Sequence, residues 1–137
     1  MKVVLDTNVL VSGLLKSDSV PGRLLQAVWS RNLELLLSAP LSNELATVLE
    51  YPKIRKRLVA QSIDVTEFLA RLPFFTTEVT LGDVSVPMPR DADDWKVLAT
   101  FIAGKGNWLV TGDADLLVMS DQFSIAKPAA FVERFLD

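Results

Sequence analysis

An α/β fold built around a parallel sheet is predicted by three features of this 137-residue chain. Two short apolar runs, Val3-Val4-Leu5 and Trp108-Leu109-Val110, each lead into an aspartate within a few residues. That is the pattern of buried strands whose C-terminal ends carry a site, the edge at which open parallel sheets bind ligands. A third run, Leu33 to Leu37, is almost wholly apolar and reads as another buried strand, and stretches with helical apolar spacing lie between the three.

The elements follow in order. After the first strand, Leu24, Leu25, Val28 and Trp29 form one helical face between Pro21 and Arg31, with Pro21 suited to the first turn. Leu25 and Trp29 read as core. Ser38 is placed to cap the next helix, with Pro40 in its first turn and Pro52 stopping it near Tyr51. Lys53 to Leu58 is the one dense basic run; it reads either as a solvated helix face or, through Lys53, Arg55, Lys56 and Arg57, as a phosphate-contacting edge for a nucleic acid. Asp64 and Glu67 resemble a capping box ahead of Phe68, Leu69 and Leu72, and Pro73 ends that helix. Residues 76 to 90 predict a connector with a short strand near Val84 to Val86. Asp91 is a good N-cap for a helix bearing Trp95, Leu98, Ala99 and Ile102, which Gly104 to Asn107 breaks before the Trp108 strand. A short helical run over Leu116 to Met119, a strand over Phe123 to Ala126 and a helix over Pro128 to Leu136 complete the chain.

Length and composition narrow the function classes. The chain has the size of one domain, residues 1–137, able to bury roughly two-thirds of its unfolded surface. Half of the residues are hydrophobic, yet no apolar run approaches the roughly 18 that a membrane helix needs. Asp6 interrupts the opening apolar run that a secretory leader would require, so a cytoplasmic location is expected. With no cysteine and no histidine, thiolate chemistry and imidazole acid-base chemistry are both excluded. Catalysis would have to run on carboxylates, hydroxyls, amines or a hard cation. A formal charge of −3 argues against indiscriminate nucleic-acid binding while leaving room for a local basic patch.

One helix position stands out. Leu41, Leu45, Val48 and Leu49 form an apolar stripe, and Glu44 falls inside it, so its carboxylate is aimed at the core side, whereas Glu50 lies off the stripe and reads as solvated. A buried carboxylate protonates, pairs or binds a metal. Asp6, Glu44, Asp94 and Asp113 thus come from four elements that a parallel sheet would bring to one edge. Two unit charges about 4 Å apart repel by roughly 4 kcal/mol at an effective dielectric near 20. All-oxygen ligation selects hard ions, so Mg²⁺ or Mn²⁺ is the expected cofactor. Asp94 has a second reading as a capping-box partner, Asp115 as a first-turn acid facing a helix dipole, and Thr7 and Asn8 as helix N-caps.

The segments Leu5-Asp6-Thr7-Asn8-Val9-Leu10, Ser38-Ala39-Pro40 leading into Glu44, Arg90-Asp91-Ala92-Asp93-Asp94, and Leu109-Val110-Thr111-Gly112-Asp113-Ala114-Asp115-Leu116-Leu117 together resemble the PIN-domain family. The resemblance is to its toxin branch in prokaryotic toxin-antitoxin pairs (VapC-like), in order and over nearly the whole chain. It implies a three-layer α/β/α fold with a central, mainly parallel sheet, and a metal-dependent endoribonuclease leaving 5′-phosphate and 3′-hydroxyl ends on RNA. It also implies a dimer and an antitoxin partner that covers the acidic pocket. By position, Asp6, Glu44, Asp94 and Asp113 match the family's acidic quartet, with Asp115 an auxiliary, and Thr7, Asn8 and Thr111 match the polar residues that orient the site. On that basis Asp6, Asp94 and Asp113 would hold the cation, directly or through water, and Glu44 would position or deprotonate the attacking water.

Two departures stand in the chain. Ala92 replaces a frequent proline, and Trp95 follows the third acid where a small polar residue is common. The indole is expected to narrow the entrance or weaken a second metal position. It keeps open a rival of another class, a catalytically impaired metal-binding or interaction module on the same fold. A haloacid-dehalogenase-type phosphotransferase wants a second acid two residues after the first, where Asn8 stands, and a receiver domain wants an acidic pair that the first strand lacks.

Overall fold

The computed structural model describes residues 1–137. In chain order the elements are β1 (Lys2–Leu5), α1 (Thr7–Leu15), α2 (Val20–Trp29), β2 (Glu34–Ser38), α3 (Ala39–Val48), α4 (Pro52–Ala60), α5 (Val65–Arg71), β3 (Thr76–Val79), α6 (Trp95–Ala103), β4 (Trp108–Val110), α7 (Ala114–Leu117), β5 (Ile125–Ala126) and α8 (Pro128–Phe135). Short 3₁₀ turns cover Leu72–Phe74 and Ala92–Asp94. The five strands form one all-parallel sheet in the order β3-β2-β1-β4-β5, flanked by helices in a three-layer α/β/α arrangement.

Val3, Val4 and Leu5 are all buried although successive strand residues point to opposite faces, so both faces of the sheet are covered. From β1 the chain steps outward through β2 to β3, then returns to β4 on the other side of β1 before reaching β5. The connections therefore diverge between β1 and β4, and the crevice beyond the C-terminal ends of those two strands is the topological switch point at which such sheets bind ligands. Leu5 pairs with Val110, and the Asp6 amide donates to the Val110 carbonyl at 3.0 Å, so the residues that follow the two strands leave the sheet side by side.

The helices hold this edge in place. A Cβ on Gly13 of α1 would meet the Pro21 carbonyl oxygen at 2.6 Å, an approach between α1 and α2 that only glycine permits. Trp29 packs edge-on against Phe68 and Phe75 with the Arg71 guanidinium over its ring, tying α2 to the α5 region, while Leu25 is buried. The Asp64 side chain accepts from the Glu67 amide at 3.0 Å, as a cap should. The helix α3 ends at Val48, short of the stop expected near Tyr51, and Pro52 opens α4 instead, so the basic run lies on a helix of its own.

Three further local expectations differ from the structure. Val84 to Val86 is not a strand; the edge strand is Thr76–Val79, bonded to β2, and the chain then turns away at Gly82, whose φ of +53° suits glycine. Val84 and Val86 alternate like strand residues but have no neighbouring strand to pair with. The N-cap of α1 is Asp6 rather than Thr7 or Asn8, both of which lie in the first turn. Ser38 occupies the N-cap of α3 without capping it, because its hydroxyl is 2.7 Å from the Thr100 hydroxyl on α6. No helix is long and apolar enough to cross a membrane.

Candidate functional site

At the switch point a cavity of about 180 Å³ is lined by Asp6, Thr7, Asn8, Glu44, Val48, Asp91, Asp93, Asp94, Val97 and Asp113. All four acids expected to converge are among them. Asp6 follows β1, Asp113 follows β4, Glu44 comes from the middle of α3 and Asp94 from the 3₁₀ turn that enters α6. Glu44 and Val48 are half-buried on the same side of α3, in keeping with the stripe.

Thr111 and Thr7 fix two of the carboxylates. The Thr111 hydroxyl donates to Asp6 Oδ2 at 2.6 Å and accepts from the Asp113 amide at 3.0 Å, so one buried side chain sets both strand-end acids. The Thr7 hydroxyl donates to Glu44 Oε2 at 2.5 Å. Asn8 is exposed at the mouth. Asp113 caps α7 by accepting from the Asp115 amide at 2.8 Å.

The pocket's own charges are poorly compensated at its centre. Burial raises the Asp6 carboxyl above its ordinary range, and the charges of Asp113 and Glu44 add to this, against the opposing hydrogen bond from Thr111. Asp94 is pushed up to about 8, first by burial, then by its hydrogen-bonding contact with Asp113 and by the charges of Asp113, Asp6 and Asp91. It is only 8% exposed, and its Oδ2 is a buried polar atom without any hydrogen-bond partner. Native proteins leave few such atoms, and each calls for an explanation. A carboxylate oxygen deprived of donors and surrounded by other carboxylates fits a bound cation.

A model of the PIN domain matches residues 2–115 of the chain. The chain belongs to the PIN-domain family. PIN domains are generally nucleases, and they usually use divalent metals. A protein of Methanocaldococcus jannaschii known only as uncharacterized is 26% identical over 146 residues, covering 98% of this chain and 92% of the relative. No solved structure matches this chain significantly.

Within this PIN domain the tightest convergence of carboxylate oxygens lies toward solvent from the expected quartet. Oxygens of Asp91, Asp94 and Asp115 all lie within 4.8 Å of one another. Two of these three are already engaged: Asp91 Oδ1 accepts from the Asp93 amide at 3.0 Å, and Asp115 Oδ1 accepts from Arg90 Nε at 2.9 Å and from its terminal nitrogen at 2.7 Å. Asp94 is shared between this outer group and the inner Asp6 and Asp113, and it is the buried member with a free oxygen. Asp115 does not line the cavity. Neither does Trp95, which is half-buried.

Sequence reasoning misses four residues of the region. Asp91 reads in sequence only as a cap, which it is, and Asp93 has no role assigned to it, yet both face the cavity. Their signal is the cluster of acids around Asp94. Arg90 and Lys96 are also missed; Lys96 Nζ lies 3.1 Å from Glu44 Oε1, and it is the one charged residue in the mostly apolar helix α6. A lone cation in such a helix is the signal available.

Proposed function

We propose that this PIN domain is an endoribonuclease that depends on Mg²⁺ or Mn²⁺ and acts as the toxin of a toxin-antitoxin pair. The observation that carries the metal dependence is the orphaned, buried Oδ2 of Asp94 between Asp6, Asp113 and Asp91. Asp6, Asp94 and Asp113 are the residues that would hold the ion, with Asp115, claimed by Arg90, an outer auxiliary at most. A bound divalent ion supplies charge compensation and polarises the phosphodiester.

The chain's own residues do the rest. Thr111 holds the Asp6 carboxylate in one orientation, and Thr7 does the same for Glu44. Glu44 orients the attacking water and accepts its proton, the task left to a carboxylate in a chain without histidine. Asn8, exposed at the mouth, offers an amide to the RNA. Lys53, Arg55, Lys56 and Arg57 are exposed on α4, and none of them is ion-paired. That helix starts four residues after Val48 of the pocket wall, and Tyr51, 53% exposed at the junction, presents a ring on which a base can stack. A single strand leaving the pocket would therefore meet phosphate-binding cations along α4. A dimer and an antitoxin that covers the acidic mouth complete the proposal, with the cytoplasm as the place of action. The rival reading of an impaired module draws on Trp95, and metal binding without turnover across an RNA panel would favour it.

Incubation of wild type and Asp6→Asn with a panel of RNAs in Mg²⁺, Mn²⁺ or chelator tests the reading. Cleavage by wild type only with metal, leaving 5′-phosphate ends, and its loss in Asp6→Asn are expected. Undiminished cleavage by Asp6→Asn, or cleavage in chelator, would overturn the scheme. The toxin role is tested by induced expression: growth arrest by wild type and none by Asp6→Asn is expected, and unimpaired growth with active wild type refutes it.

A further inference from the structure

We propose that the ammonium of Lys96 takes the place of a second cation and limits the acidic pocket to a single divalent ion. This deepens the metal-site reading above and rests on it. Lys96 lies in the first turn of α6, two residues after Asp94, where the helix dipole disfavours a positive charge. Its compensation comes from across the pocket: Glu44 of α3, with the ammonium at 3.1 Å and both side chains largely shielded from solvent at 30% and 24% exposure.

Both oxygens of Glu44 are thereby engaged by the chain, Oε1 by Lys96 and Oε2 by Thr7. Asp94 stands in contrast, with one oxygen that nothing satisfies. Arg90 plays the corresponding part at the opposite flank, where it holds Asp115. The two cations of the region thus sit at its margins, and the acids left without one are Asp6, Asp94 and Asp113 in the middle. A second divalent ion would need the Glu44 carboxylate as a ligand, and it would have to approach an ammonium already bound there, a repulsion that weakly screened surroundings enlarge. Lys96 is accordingly a positioning residue: it keeps Glu44 off the metal, and the second lone pair of each carboxylate oxygen is what remains to orient water.

Counting bound Mn²⁺ by equilibrium titration, with free Mn²⁺ read by electron paramagnetic resonance, tests this without reference to activity. Wild type and Lys96→Arg are expected to bind one ion, and Lys96→Met two. Lys96→Gln, which retains a donor for Glu44, carries the same expectation of two should methionine cost the fold. Glu44→Gln with Lys96 intact is expected to remain at one. Two ions in wild type, or one ion in both neutral Lys96 variants, would overturn the proposal while leaving the metal site standing. No ion in wild type would overturn the metal site itself and this proposal with it.

Discussion

Replacing Asp94 by asparagine in the metal-free protein should make it more stable, not less. The folded chain holds the Asp94 proton up to about pH 8, whereas the unfolded chain releases it near the ordinary aspartate value of 3.8. The folded pKa is the raised one, so the stability contributed by this group is complete below about pH 4 and is lost as pH rises toward 8. Within that window the loss is about 1.4 kcal/mol per pH unit for one proton. At pH 7 it amounts to roughly 2–4 kcal/mol, the lower figure allowing for water that reaches the pocket mouth and screens the charges. Asparagine mimics the protonated acid in shape and can donate to Asp113, so it removes the penalty. For a domain of this length about 3 °C accompany each kcal/mol, and thermal melts in chelator should show Asp94→Asn higher by about 6–12 °C at pH 7 and nearly equal at pH 4. Saturating Mn²⁺ should reverse the order, because the metal stabilises only the protein that binds it. A wild-type midpoint that does not fall between pH 4 and 8 in chelator, or a variant less stable than wild type at pH 7, would refute this electrostatic account of the pocket.

Two further outcomes follow from other residues. Thr111→Val removes the 2.6 Å bond to Asp6 and the acceptor for the Asp113 amide; urea unfolding should show a loss of about 1–3 kcal/mol, and Mn²⁺ affinity should fall with it. In the inactive Asp6→Asn background, neutralising Lys53 and Arg57 together should flatten the dependence of log RNA affinity on log salt by about 0.7 for each phosphate that the chain no longer neutralises; an unchanged slope would remove α4 from the RNA path.

Much of the site is legible in the sequence because its signals are local. A short apolar strand with an acid within three residues of its end needs only neighbouring residues to be read, and both Val3 to Asp6 and Trp108 to Asp113 have that form. Glu44 is legible because a charge inside an apolar stripe is anomalous within its own helix. What escapes depends on partners far away in the chain. Thr76–Val79 is polar at three of its four positions and becomes a strand through its bonds to β2, while Val84 and Val86 have the alternation of a strand but nothing to pair with. The Ser38 hydroxyl is drawn from its capping role by Thr100, 62 residues away, and Lys96 finds Glu44 at a separation of 52. The outer group of Asp91, Asp94 and Asp115 likewise exists only once the turn before α6 lies beside α7. Burial of Asp94, which leaves its Oδ2 unsatisfied, is a property of packing and has no counterpart in sequence spacing.

Crystals soaked in Mn²⁺ and measured near the manganese absorption edge test most directly whether Asp6, Asp94 and Asp113 form a cation site. A single anomalous peak among these three carboxylates, absent from Asp94→Asn crystals treated in the same way, is expected. Anomalous density confined to the outer Asp91 and Asp115, or none at all, would contradict it.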